Sequence, residues 1–213
     1  MKINPKHYWE SKILDWESAR YSNWAAAHPF AWTVRSRFFK ASQVISDRLP
    51  KGSSVFEIGC GSGLLAERLV SQIASYKGID IAENAIQLAR KRVYNPNFEF
   101  NAADLLNFEY SAADLTVMLG VIDWLDADGV ELLMRKVKSK YVLISHTQTS
   151  SWNPYLIYRR IFDGIHTKGT YCARSYSAQQ VEAILIKNNY SFEAVTHPTL
   201  FNPGALIWGV RNS

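Results

Sequence analysis

Val55-Phe56-Glu57-Ile58-Gly59-Cys60-Gly61-Ser62-Gly63 is the stretch whose reading decides the fold. Val55, Phe56 and Ile58 around one acid make a short buried strand. The glycines then open a helix over 64–73 that carries Leu65, Leu69 and Ile73 on one stripe. Glycine lets a backbone come close to a ligand and take positive φ without a Cβ clash. A helix start offers unpaired N–H groups to a carboxylate. The bare alternative is a tight strand-to-helix turn that binds nothing. A dinucleotide fingerprint needs its third glycine at position 64, where this chain has Leu64, so a nicotinamide-dependent oxidoreductase is disfavoured.

Outward from this loop the chain alternates. Strands are expected over 76–81, 98–102, 114–119 and 140–145, with helices over 82–93 and 128–137. That rhythm implies βαβ crossovers and a parallel sheet covered on both faces. Upstream, 31–49 has helical apolar spacing that Pro50 stops. Downstream, Ser177-Ala178-Gln179-Gln180 is a capping box that opens a helix to about Lys187. Strands at 190–195 and 205–210 are separated by too few residues for a crossover helix, so they should pair as an antiparallel hairpin. The expected fold class is thus α/β, doubly wound, in a single domain over 1–213. It divides into an N-terminal helical lid (1–50), a cofactor-binding half (51–146), a cap insertion (147–175) and a C-terminal helix and hairpin (176–213).

With 213 residues, 47% of them apolar and 20% charged, the chain has the composition of one soluble globular domain. No apolar run is long enough to span a bilayer and the N-terminus lacks a signal-type apolar region, which points to the cytoplasm. Cys60 and Cys172 stand far apart, suggesting neither a disulfide framework nor a metal site; no metal is expected. The net charge of +5 is unevenly spread. Residues 1–51 balance at +5, residues 52–134 at −7 and residues 135–187 at +7. Without an RNA-binding module or a basic tail, this pattern makes nucleic acid an unlikely partner, despite a pI near 9.1.

Three further stretches give the loop its company. Asp80 ends the second strand, 21 residues after Gly59, where a doubly wound fold puts a carboxylate within reach of ribose hydroxyls; its other reading is a helix cap. Asp104, after the third strand, is an acceptor for an exocyclic adenine amine, with Ile81 and Leu105 flanking the ring, or else the cap of a turn. The fourth strand ends in Gly120, followed by the apolar turn Val121-Ile122-Asp123-Trp124. In this order and spacing, EIGCGSG, GID, AADL and DLTVMLGVIDWL resemble the motifs of class I S-adenosylmethionine-dependent methyltransferases.

The resemblance implies a seven-stranded sheet of order 3-2-1-4-5-7-6 with strand 7 antiparallel. It implies S-adenosyl-L-methionine as cofactor and S-adenosyl-L-homocysteine as product. Glu57, Gly59, Cys60 and Gly61 would line the methionine side. Asp80 would take the ribose and Asp104 the adenine, with Ile81 and Leu105 beside the ring, and Gly120 and Val121 would lie near the sulfonium. Two departures stand out. Trp124 occupies a position where many relatives have histidine. The fourth strand also lacks the [DN]-P-P-[FYW] turn of enzymes that methylate base amines.

For the acceptor, His146 directly after the fifth strand is the candidate base. Arg159 and Arg174 in the basic cap, with Tyr176 and the lid's Tyr21, are candidate acceptor contacts. A basic rim over an acidic floor suits a small anionic or phosphate-bearing acceptor, and the leading expectation is methylation at an oxygen of a sugar or other anionic metabolite. An RNA methyltransferase is the rival that a pI near 9.1 favours. A non-catalytic cofactor-binding protein is the alternative from another class.

Overall fold

β1 (Ser54–Ile58) is buried on both faces from Val55 to Ile58, and the sheet is built outward from it. The computed structural model describes residues 4–21, 29–148, 157, 173–197 and 204–212. On one side β1 pairs in parallel with β2 (Ser75–Asp80), which pairs with β3 (Phe98–Ala102). On the other side it pairs with β4 (Leu115–Leu119), then β5 (Tyr141–Thr147), both parallel. β7 (Gly204–Arg211) runs antiparallel against β5, and β6 (Tyr190–Thr196) closes the edge against β7. The order is therefore 3-2-1-4-5-7-6 with strand 7 antiparallel, as the resemblance implies, and the last two strands pair as the hairpin that their short connection calls for.

Helices cover both faces. α2 (Pro29–Arg48), α3 (Leu64–Leu69) and α4 (Glu83–Arg92) bury Ala41, Ile45, Leu65, Leu69 and Ile86 against one face. α5 (Ala127–Lys136) and α6 (Ala178–Lys187) bury Val130, Leu133, Val181 and Leu185 against the other. The Ser177–Gln180 capping box is formed reciprocally at the start of α6. α1 (Pro5–Tyr21) lies apart from the sheet and sets Ile13 against Ala82 and Ala85 at the start of α4. Among the described residues no helix is long and apolar enough to cross a membrane.

Two boundaries differ from the sequence reading. α3 stops at Leu69 because Gln72 and Ile73 both turn back to donate to its carbonyl, although Ile73 keeps its buried place. β5 runs two residues further than expected, through Thr147, because β7 continues to pair with it as far as Thr147 opposite Gly204.

Candidate active site

The carboxyl ends of β1, β2 and β4 meet at the glycine loop. Gly59 has φ of 73°, and a Cβ there would come within 2.6 Å of Val121 Cγ2, so only glycine lets the first loop touch the turn after β4. Gly61 has φ of 51°, and a Cβ on it would overlap a carboxylate oxygen of Glu17. Asp80 fixes the loop from the neighbouring strand. One of its oxygens accepts from Gly61 N and the other from Ala82 N, each at 2.9 Å. Asp80 thus ties the glycine loop to Ala82, the residue before α4, although no side chain caps that helix.

The loop also holds an anion. Ser62 N–H donates to Glu17 at 2.9 Å, and Ser62 Oγ makes a short hydrogen bond to the same carboxylate. Arg92 Nη1 donates to Ser62 Oγ at 2.7 Å from behind. Glu17 comes from α1, 45 residues away in sequence. No local pattern announces this contact; Glu17 is one of three acids on α1, and nothing in its neighbours marks it out.

Electrostatics at this end of the sheet are acidic. Burial pushes the Glu57 carboxyl up to about 8; its hydrogen bond from Tyr76 OH works the other way, and the nearby Asp80 and Glu17 add to the rise. Burial also raises Glu17, opposed by the Ser62 hydrogen bonds. Burial raises Asp80, opposed by the backbone N–H groups of Ala82, Gly61 and Ile81. The Cys60 thiol is buried and pushed upward by that burial and by Asp80 and Glu57, so it lines the loop as an inert group.

The loop after β3 joins this site through Ala103 N, which donates to the Asp80 carbonyl at 2.8 Å. Asp104 is exposed there and caps its own turn, accepting from Leu106 N at 2.9 Å and Asn107 Nδ2 at 3.1 Å. Ile81 and Leu105 are half-buried on either side of it. Gly120 and Val121 follow β4, with Gly120 N bonded to Ser145 O at 3.0 Å.

The acceptor-side expectations need correction. His146 is not in a loop after β5 but inside the strand, 0% exposed, with neither ring nitrogen partnered among the described residues. The pairing with β7 and the anchoring of Thr147, whose N–H and Oγ1 both donate to Asp123 at 2.9 and 2.7 Å, carry the strand past it. Burial brings its imidazole down to about 4, with Asp123 opposing and Arg37 assisting. Tyr176 is buried, and its hydroxyl donates to the Leu125 carbonyl at 2.5 Å, so it closes the turn after β4 instead of presenting itself to an acceptor. Arg174 is exposed, with its N–H on the Asp123 carbonyl at 2.6 Å. Arg159 and the Tyr21 side chain lie outside the described residues. Trp124 has a structural partner instead: its ring meets Trp9 at 4.8 Å and Tyr8 at 5.9 Å between centroids, docking α1 on the turn after β4.

A nucleoside-binding doubly wound fold with a glycine loop beneath a helical lid defines the class. Comparison places the chain within it. The methyltransferase-domain family matches residues 55–140. Ubiquinone biosynthesis O-methyltransferase of Thiobacillus denitrificans is 34% identical over 86 residues, 37% of this chain and 36% of that protein. The protein of the same name from Azoarcus is 38% identical over 48 residues, 22% of this chain and 21% of that one. The aligned part of the chain thus spans about a third or less of these curated relatives. Magnesium protoporphyrin IX methyltransferase of Synechocystis, with bound S-adenosylhomocysteine, superposes with a TM-score of 0.75 at 18% identity, covering 97% of this chain and 98% of that one. An S-adenosylmethionine-dependent methyltransferase of Methanosarcina mazei gives 0.58 at 20% identity, covering 78% and 94%. Residues 55–140 thus match the methyltransferase-domain family, and the seven-stranded sheet of order 3-2-1-4-5-7-6 is the fold shared with these solved methyltransferases.

Proposed function

We propose that the chain transfers a methyl group from S-adenosylmethionine to an oxygen of a small anionic acceptor. The observation that carries this reading is the Glu17–Ser62 contact. The loop already holds a carboxylate through a backbone N–H and a hydroxyl, which is the donor set an amino-acid carboxylate needs. Around it, Asp80 offers carboxyl oxygens to a ligand that carries a sulfonium and an ammonium, while Glu57, pushed up to about 8, holds its proton near neutral pH. The residues therefore fit the cofactor. Gly59, Cys60 and Gly61 would cradle its methionine end, Asp80 its ribose, Asp104 its adenine with Ile81 and Leu105 flanking the ring, and Gly120 and Val121 the reacting centre.

When bound, the cofactor supplies an electrophilic methyl group on sulfur. The chain's own work is alignment and removal of water, which can be worth about 7–11 kcal/mol for a well-oriented pair. His146, neutral at physiological pH but 0% exposed inside β5, is the proposed base and can take the acceptor's hydroxyl proton only once its ring is uncovered. Oxygen as the target and a small-molecule acceptor are supported by the similarity to ubiquinone biosynthesis O-methyltransferases. The basic 135–187 segment with Arg174 supports an anionic one; the cap expected over 147–175 lies almost wholly outside the described residues.

The direct test is release of S-adenosylhomocysteine from the protein with S-adenosylmethionine and a panel of hydroxylated carboxylates, phosphorylated sugars and neutral phenols. Turnover confined to anionic hydroxyl compounds is expected. Turnover only with amines or RNA would overturn the acceptor assignment, and none with any acceptor would favour a binding protein.

A further inference from the structure

Arg37 sits in the third turn of α2, and its guanidinium reaches the end of β4. Nη2 stands 3.6 Å from where a Cβ on Gly120 would be, beside the residue whose neighbour, Val121, touches Gly59 of the glycine loop. The same guanidinium is felt at His146, one residue beyond Ser145, to which Gly120 is bonded. Arg37, Gly120 and His146 thus come from three separate elements to the carboxyl ends of β4 and β5.

Four other arginines of the sheet layers find acceptors, while Arg68 lies over the Phe38 and Phe39 rings. Arg48 pairs with Glu193, Arg135 with Glu131 and Arg92 with Glu67, and Arg90 donates to the Phe100 carbonyl. Arg37 is half-buried yet, among the described residues, makes no hydrogen bond and no ion pair. A guanidinium has five donors and a permanent charge, so partly desolvating it without an anion is unfavourable. Beside it, fully buried His146 has two ring nitrogens without partners, a second independent mark of unmet polar capacity at the same place. Apolar packing would satisfy neither group. An oxyanion with a nearby hydroxyl would satisfy both.

We propose that Arg37 binds the oxyanion of the methyl acceptor, a carboxylate or phosphate, and so selects acceptors that place a hydroxyl oxygen against His146. This rests on the methyltransferase reading for what happens at that hydroxyl: its O–H bond breaks with the proton passing to His146, an O–CH3 bond forms, and the S–CH3 bond breaks with its electron pair left on sulfur. Binding of the oxyanion itself does not depend on that reading.

The test is a side-chain Nε–H nuclear magnetic resonance titration of the full chain labelled with 15N-arginine. The Arg37 signal is assigned by its loss in Arg37→Lys. Benzoate, phenyl phosphate and neutral benzamide are added in turn, each with and without S-adenosylhomocysteine. Saturable movement with benzoate or phenyl phosphate, at least tenfold weaker with benzamide, is expected; which anion saturates first separates carboxylate from phosphate. No movement with either anion, or equal movement with benzamide, overturns the subsite. S-adenosylhomocysteine is also titrated alone: its failure to bind would count against the methyltransferase reading and leave the arginine titration to decide the subsite. In turnover, Arg37→Gln should raise KM for an anionic acceptor at least tenfold, while circular dichroism and cofactor affinity report on the fold.

Discussion

Glu17 on the lid helix and Ser62 on the glycine loop are joined twice, through the Ser62 N–H and its hydroxyl, across 45 residues of sequence. The lid thus places its own carboxylate on donors that the cofactor's carboxylate would use. Each such hydrogen bond to a charged group contributes about 1.5–3 kcal/mol before desolvation is counted. Glu17 is half-buried and its carboxyl is raised by burial, so much of that gain is offset.

Removing the competitor should therefore help the cofactor. Glu17→Ala is expected to bind S-adenosylhomocysteine about fivefold more tightly, about 1 kcal/mol, with faster association. Stopped-flow and calorimetric titration read both quantities. A fivefold loss would mean that Glu17 holds the ligand instead of standing in for it.

Glu57 should make the ligand-free fold less stable as pH rises. Its folded pKa, about 8, lies above the ordinary carboxyl value of 4.5, so the folded state holds the proton more strongly than the unfolded one. The stability this gives is complete below about pH 4.5 and is lost as pH climbs through 8, amounting to a few kcal/mol at most. Glu57→Gln keeps an acceptor for Tyr76 OH and removes the titration. Its melting temperature should exceed that of the wild type at pH 8.5 and match it at pH 5; equal pH slopes for the two proteins would contradict this.

His146 titrates in the opposite sense. Burial holds its imidazole at about 4, below the ordinary 6.5, with Asp123 and Arg37 as the charges that face it. Its contribution to stability is present above pH 6.5 and disappears as pH falls through 4. In turnover, kcat/KM should show no His146 inflection between pH 5.5 and 7.5, because the ring is already neutral there. His146→Gln should lower kcat by about a hundredfold or more if the ring takes the acceptor's proton. An inflection near 6.5 that vanishes in this variant would show a solvent-exposed base.

Legibility followed distance along the chain. Glycines, strand-end acids and the capping box announce themselves within a few residues, and the gap between 196 and 204 dictates the hairpin, so sheet order and loop were readable. The Glu17–Ser62 contact, the Trp9–Trp124 ring contact and the reach of Arg37 to Gly120 come from helices docked by tertiary packing, which no local period encodes. His146 was placed one residue outside its strand because strand ends are set by the partner, here β7 through Gly204, and by Asp123 holding Thr147. Tyr176 looked like a site residue by position; only the carbonyl of Leu125, 51 residues away, shows where its hydroxyl goes.

The cofactor assignment rests most directly on Asp80, which holds Gly61 and Ala82 and faces the proposed ribose site. Calorimetric titration of S-adenosylhomocysteine into wild type and Asp80→Asn tests it, since asparagine can still accept one of the two backbone hydrogen bonds. Micromolar binding to wild type that weakens tenfold or more in the variant, about 1.4 kcal/mol, is the expected result. Equal affinity in both proteins, or binding of NAD(P) in place of S-adenosylhomocysteine, would contradict it.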